Sequence, residues 1–350
     1  IEDRLLITAP QQAGVIEVVR EHTSFAMESR DIPCPKWSAR SCGLRGAVAD
    51  VLYAPGATVL PSPLVSPIDS GFRIGYDLLA LAVWMMTRQE EIGYLLTDEH
   101  DRFPSSASHA FRNGYLERPI VDEWLFILEQ LMRACWPRLD LRSPSFKCLV
   151  SHDVDRPSRA AFVPFNRFLA SMASDLVRRR DFRAFLSAPI IRFRTHDRLH
   201  SADPVNTFSW LMSVSEHHGL QSAFYFICGR TDPEKDAHYE PEHPAIRRLL
   251  REIHARGHEI GLHPSYRTYC DAQRLAAEAE RLKKMCAGER IVQSVWGGRM
   301  HFLRWSHPTT LRAWESARMT YDSSLAMRTR LDFVVEHRMS IQRLISKLIA

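Results

Sequence analysis

Residues 257–266 read GHEIGLHPSY. Within them HEIGLH (258–263) is a short, largely apolar run between a glycine and a proline, the pattern of a buried strand. Its two histidines are not equivalent, because His258 opens the strand and His263 stands at its carboxyl end. Working outward, the same rhythm returns on both sides. Upstream, SAFYFIC (222–228) and FKCLVS (146–151) read as strands, and downstream VQSVW (292–296) reads as a fourth. Between them Ile246, Leu249, Leu250 and Ile253 recur at helical spacing, as do Leu275, Ala279, Leu282 and Cys286. This alternation predicts a parallel sheet or barrel, in which working residues collect at the carboxyl ends of the strands.

Three clusters fall at those ends. In SHDVD (151–155), Asp153 and Asp155 sit at i and i+2 of an extended chain and point to the same side. Two such carboxylates repel unless a cation lies between them. One can then hold a metal while the other takes a proton from water. Asp-x-Asp also occurs in turns and caps, so the motif alone leaves both readings open. His263 is a ligand candidate, since neutral imidazole is the commonest nitrogen ligand for zinc and similar ions. His258, at the opposite end of its strand, reads as a structural, hydrogen-bonding histidine. In GGRMHFLRW (297–305), Arg299 can orient a carboxylate through a bidentate contact. His301 is either a ligand or a histidine that touches substrate or a ligand. Trp305 is either a sugar-stacking platform or a core residue.

The region before residue 140 reads differently. LLITAP is a plausible strand, the proline-rich stretch 55–67 a loop or edge, and 77–91 a helix. The residues TDEHDRFP (97–104) form a turn-rich loop. Val121, Trp124, Leu125, Leu128, Leu131, Met132 and Cys135 mark an amphipathic helix over 120–136. Pro137 to Pro144 is a linker, so 1–140 is assigned to a smaller α/β domain and 146–325 to the strand–helix domain. Inside the latter, 166–198 interrupts the rhythm with Arg178, Arg179, Arg180, Arg183, Arg192 and Arg194, and reads as a helical insertion with a solvated face, a glycan or membrane contact being the alternative.

With 350 residues, 45% apolar and 25% charged, the composition is that of a globular protein with a sizeable core. A net charge of +5 is too weak to imply nucleic acid. The seven scattered cysteines form no CxxC pair and read as reduced, which favours the cytoplasm. The run LLALAVWMM (78–86) falls far short of the roughly 20 residues that span a bilayer. The oligomeric state is not legible.

The order SHDVD, DPVNTFSWL, SAFYFI, RGHEIGLHPSY, GGRMHFLRW and YDSSL resembles the polysaccharide deacetylase (NodB-homology) superfamily, in a bacterial branch with an extra α/β domain in front. The resemblance spans about residues 70–325. It implies a deformed (β/α) barrel that removes an acetyl group from a carbohydrate such as a cell-surface glycan, using a divalent metal ion, with zinc expected. By the same resemblance Asp153 is the base, Asp155 and His263 are metal ligands, and Arg299 holds the base. Tyr266, Trp305 and His152 are expected to contact substrate. An allantoinase-like amidase on the same fold and a metal-free glycan-binding module are the alternatives.

Two departures from the family pattern matter. The second motif usually carries another histidine four residues after the first, and here that position is Arg267. His301 is expected to fill the gap as third ligand; His152, though beside Asp153, should point the opposite way along its strand. Second, nothing after Leu325 matches the late motif that supplies an acid histidine. Read one base out of frame with permitted codons, 326–343 can encode YAD-x-x-GFRCGT-x-YEYPAF, so 326–350 is expected to be an out-of-frame tail. The barrel would then be incomplete at its C-terminal end and expose an unpaired edge, with poor expression or aggregation expected.

Overall fold

The computed structural model describes residues 3–20, 25, 30–141 and 146–325. The expected tail over 326–350, and with it any statement on barrel completeness, lies outside the described residues. Of the hydrophobic clusters among the described residues the two largest form the cores, one of residues between Ala9 and Trp136 and one between Val154 and Ala317.

The first core has a four-stranded sheet of β1 (Arg4–Ile7), β2 (Val15–Val19), β5 (Val65–Ile68) and β6 (Gly71–Ile74), in the order β1-β2-β6-β5, with β3 (Lys36–Ser38) and β4 (Val51–Tyr53) paired separately. Helix α1 (Leu78–Met86) begins where the Asp77 carboxylate accepts the Ala80 amide, a cap for an otherwise orphan donor. A short α2 (His109–Arg112) follows, and then α3 (Ile120–Cys135), which buries Trp124, Ile127, Leu128 and Leu131 as its spacing predicts. Trp124 stacks on Trp37 at 5.4 Å and donates to the Tyr53 carbonyl at 2.7 Å, so this bulky side chain is buried with its polar atom satisfied.

The second core is built on a curled, half-barrel sheet of parallel strands. In chain order it comprises β7 (Val150–Val154), α4 (Phe165–Ser174), α5 (Phe182–Arg194), α6 (Phe208–His217), β8 (Ser222–Phe226), α7 (Pro244–Ala255), β9 (Glu259–Leu262), α8 (Ala272–Gly288), β10 (Gly297–Gly298), α9 (Thr309–Ser316) and β11 (Tyr321–Asp322). The strands lie in the order β11-β10-β9-β8-β7. Helix α7 buries Ile246, Leu249, Leu250 and Ile253, each contributing about 1.5–3 kcal/mol on burial. Register separates the two faces of the sheet. His152, Phe224 and Ile260 align on one, and Asp153, Tyr225 and Gly261 on the other.

Two strands lie away from their expected positions. The first is Val150–Val154 rather than 146–151, because β8 starts at Ser222, opposite Val150, and offers no partner to the residues before it. Phe146 is accordingly exposed. The fourth is Gly297–Gly298 rather than 292–296. There the Gln293 side-chain amide takes the place of a strand, accepting from the Ile260 amide at 3.2 Å and donating to its carbonyl at 2.7 Å. Backbone pairing waits for the glycines, since a Cβ on Gly298 would overlap the Leu262 carbonyl.

The insertion is helical, with a π-helical turn at Asp175–Arg179 between α4 and α5. Its outer face is not purely polar, for Val177, Phe182, Leu186 and Phe193 are exposed on it. No helix among the described residues is long and apolar enough to cross a membrane. All seven cysteines are free.

Candidate functional site

A cavity of about 660 Å³ opens beyond the carboxyl ends of the parallel strands, lined among others by Asp153, Asp155, His263, Met300 and His301. Each side chain is there for a local reason. Asp153 is on the inner face of β7, and Asp155 follows that strand directly. His263 is the first residue after β9 and extends its ladder by donating its amide to the Phe226 carbonyl at 2.8 Å. His301 opens the turn that follows the two-residue β10.

The two histidines are almost fully buried and oriented by backbone carbonyls. His263 Nδ1 lies 2.5 Å from the Arg299 carbonyl oxygen, and His301 Nε2 lies 2.9 Å from that of Lys235. A carbonyl can only accept, so each of these nitrogens carries the proton of its ring. The remaining nitrogens, His263 Nε2 and His301 Nδ1, then present lone pairs to each other across 2.8 Å. The Asp155 carboxylate faces both, at 3.3 Å from His263 and 3.6 Å from His301. Three acceptors converge, with all ligand atoms within 4.8 Å of one another, so Asp155, His263 and His301 can hold a metal ion. The donor set fits a divalent cation in a further respect: tying the outer nitrogen of a ligating histidine to a carbonyl is the usual way such rings are fixed and made more basic.

The cluster's titration follows the same geometry. Burial pushes the His263 imidazole down, but a second proton, on Nε2, would bond Asp155 and meet the charges of Asp153 and Asp155, which outweigh burial and raise the ring above the ordinary value. His301 is lowered by burial and by His263. Asp155 is raised by burial, yet its hydrogen bond to His263 and the neighbouring charges hold it below the usual carboxylate range.

Beside the cluster, Arg299 reaches Asp153 Oδ1 at 3.3 Å and donates to Ser151 Oγ at 2.9 Å and the Ser323 carbonyl at 3.3 Å. Its guanidinium also lies over the Tyr225 ring, 5.5 Å from the centroid. The arginine therefore ties the inner face of β7 to β8 and to the end of β11, with Asp153 held at the cavity wall.

The other expected site residues lie elsewhere. Arg267 is exposed, pairs with Asp232 at 3.4 Å and is not part of the cluster. His152 is on the opposite face of β7, its ring 4.9 Å from Phe224, because alternate residues of a strand face opposite ways. The expectation that it contacts substrate is corrected accordingly. Tyr266 is also corrected. It is 5% exposed, its hydroxyl lies 3.1 Å from His100 Nδ1, and its ring is covered by Lys235 and Arg304, each 4.0 Å from the centroid. Trp305 is buried at 7% exposure and does not line the cavity, so of its two readings core packing is the one realised. His258 is structural, accepting from the Ser222 amide at 3.0 Å at the far end of the sheet.

Several contributors escaped the sequence reading. The Lys235 carbonyl and Asp236 come from the loop after β8, whose position behind a strand's carboxyl end was the available signal. Residues 302–304 are gripped by the loop over 97–104. Arg102 donates to the Phe302 carbonyl at 3.0 Å, and Arg304 donates to the His100 carbonyl at 3.0 Å and pairs with Asp101. This grip matters because Phe302 and Leu303 both have left-handed backbones, at φ 58° and 55°, a conformation that costs about 1–3 kcal/mol for each such residue. Glu278 is a further buried group. It accepts from the Ser265 amide at 2.9 Å and from its hydroxyl, and burial pushes its carboxyl up to about 7.

Residues 10–137 match a family of unknown function, DUF7033. No curated protein and no solved structure matches the chain.

Proposed function

We propose that the chain is a metal-dependent carbohydrate deacetylase with a deformed barrel of the NodB-homology type, acting on an N- or O-acetylated glycan. The observation that carries this reading is the convergence of Asp155, His263 and His301, each ring oriented by a carbonyl, beside an Asp153 held by Arg299. Two imidazoles and one carboxylate are a donor set used by catalytic zinc, which favours zinc among divalent ions. When bound, such an ion polarises a carbonyl oxygen and acidifies water.

The chain's own groups supply the rest. Asp153, oriented by Arg299, takes the proton of the attacking water as its oxygen bonds to the acetyl carbon. The carbon–nitrogen or ester bond then breaks, acetate forms, and the proton carried by Asp153 is available to the leaving amine or hydroxyl. The buried rings of His263 and His301 keep water from one side of the site, which strengthens every charge interaction within it. Seven free cysteines support a reducing compartment such as the cytoplasm.

Metal content and acetate release test this reading together. Purified protein is expected to bind zinc stoichiometrically and to release acetate from acetylated sugar oligomers. His263→Ala should lose both properties. Asp153→Asn should keep the metal and lose the acetate. A metal-free protein that still binds sugar would instead be a binding module, and turnover of small cyclic amides without acetate release would make it an amidase.

A further inference from the structure

We infer that the same cavity contains a cationic subsite formed by Arg156, Arg167 and His238, and that the glycan it receives is acidic, bearing carboxylate or phosphate groups. The identity of the reaction rests on the deacetylase reading; the binding preference does not.

The three residues come from separate segments. Arg156 lies in the loop after β7, Arg167 on α4, and His238 in the loop after β8, yet all three line the cavity. Convergence from three segments is not what an incidental basic helix face produces. Arg178, Arg180 and Arg183 of the insertion are such a face, and they do not line the cavity.

Charge balance in the cavity leaves Arg156 and Arg167 without an ion pair, whereas the lining Lys235 pairs with Asp232 at 3.7 Å. Arg159 and Arg179 also line it, but they share the buried Asp175. Asp153 is engaged by Arg299, and Asp155 faces the two histidines, with the neighbouring Arg156 acting on it through charge alone. Asp236 accepts the amides of Thr231, Asp232 and Tyr266. Among the described residues Arg156 makes no hydrogen bond or ion pair, and the only side chain Arg167 reaches is His238, Nη1 to Nε2 at 3.3 Å. Glu234 at the lining is the acid left to set against them.

A guanidinium facing an imidazole nitrogen keeps that ring neutral. Burial, followed by Arg167, Arg230 and Arg156, accordingly lowers His238 below the usual histidine value. Unpaired guanidinium groups in a concave site concentrate anions there. Their planar forks also match carboxylate and phosphate oxygens two at a time. A neutral glycan would leave the charge of both forks unmatched. Arg156 directly follows Asp155, so the anionic group would sit on or next to the sugar whose acetyl group reaches the metal ligands.

The test is calorimetric titration of the zinc-supplemented full chain with three probes. They are a neutral N-acetylglucosamine pentamer, a hyaluronan hexasaccharide in which glucuronate alternates with the same acetylated sugar, and an oligomer of N-acetylglucosamine 1-phosphate. At least one acidic probe is expected to bind about tenfold tighter than the neutral one, the value of one charge-assisted contact. The preference should shrink as salt rises. The double variant Arg156→Gln/Arg167→Gln should abolish it while zinc stoichiometry stays at the wild-type value. The stronger of the two acidic probes identifies carboxylate or phosphate as the group read. Equal binding of all three probes, no measurable binding of either acidic probe, or a preference that survives in the double variant would overturn the subsite. Acetate release, followed in the same samples, separates the two proposals. A preference for acid without acetate release leaves the subsite and removes the deacetylase reading, and acetate release without preference does the reverse.

Discussion

Replacing His301 by alanine asks whether this residue is the third ligand that Arg267 cannot be. Three protein ligands become two, and the lost ring is one whose outer nitrogen is fixed by the Lys235 carbonyl. Removing a group that merely orients a ligand weakens metal binding about 10- to 100-fold. Removing the ligand should exceed that, so the zinc dissociation constant is expected to rise by at least about 100-fold, or ~2.7 kcal/mol. The same quantity can be read from stability. Zinc held at 100 times the wild-type dissociation constant stabilises the folded chain by about 2.7 kcal/mol, and at that free zinc the variant should gain only about 0.4 kcal/mol. Comparing each protein with and without zinc removes the separate cost of leaving the Lys235 carbonyl without its donor, about 1–3 kcal/mol. Competition against a chromophoric chelator gives the affinity, and urea unfolding gives the stability. Arg267→Ala is the control, because that side chain is exposed and stands outside the cluster. Wild-type zinc affinity in His301→Ala, or an equal loss in Arg267→Ala, would refute the assignment.

Other perturbations probe the surroundings of the cluster. Arg299→Ala removes the group that positions Asp153, so acetate release should fall by about 100-fold, the lower end of what a positioned base contributes, with zinc affinity unchanged; a parallel loss of zinc would place Arg299 in metal binding instead. Arg102→Ala frees the Phe302 carbonyl and should weaken zinc binding about tenfold through His301, whereas unchanged affinity would show that the turn holds itself. Glu278 gives a pH signature: burial raises its carboxyl from 4.5 to about 7, so the folded chain keeps a proton that the unfolded chain releases. Its contribution to stability is therefore full below about 4.5 and lost as pH rises to about 7, by roughly 3 kcal/mol in all. Urea midpoints across that window should lose this slope in Glu278→Gln, and an unchanged slope refutes the attribution. Gly298→Ala forces a Cβ into the Leu262 carbonyl and should destabilise by roughly 3 kcal/mol; a neutral result in urea unfolding would mean that β10 can move away from β9.

What could be read in advance follows from where the information sits along the chain. Asp153, Asp155, His263 and His301 were legible because a strand's period and its carboxyl end are local properties, and parallel strands bring those ends together. Offsets of a few residues in β7 and β10 did not disturb this, since each cluster still followed its strand. Alternation also told Asp153 from His152, whose ring is turned to Phe224. Tyr266 and Trp305 were harder. Both lie in loops, where no period says which way a side chain points, and both are packed inward. The Lys235 carbonyl was harder for a different reason: its loop follows a strand's carboxyl end, but a backbone oxygen carries no signature that says which residue of the loop supplies it. Arg299 to Asp153 is a contact across 146 residues, and it was expected from the family resemblance and from the residue types, a fork and a carboxylate at neighbouring strand ends.

The leading segment takes on a physical role through this same limit. Its match to a family of unknown function ends at residue 137, before the first residue of the metal-ligand cluster, so on sequence alone it stands apart from the chemistry. Yet Asp101 and Arg102, within the matched span, bind Arg304 and the Phe302 carbonyl. Between those anchors and His301 lie two residues in left-handed conformations, a segment that would relax if released. The ring of His301 is also packed on Phe302, with centroids 4.6 Å apart, and Phe302 in turn lies 4.4 Å from His100. The loop over 97–104 therefore holds the backbone and the ring stack on which the position of one candidate ligand depends. A chain beginning after residue 137 would keep all three candidate ligand side chains but lose these anchors, so the unit in which they are positioned to hold a metal ion is the two regions together.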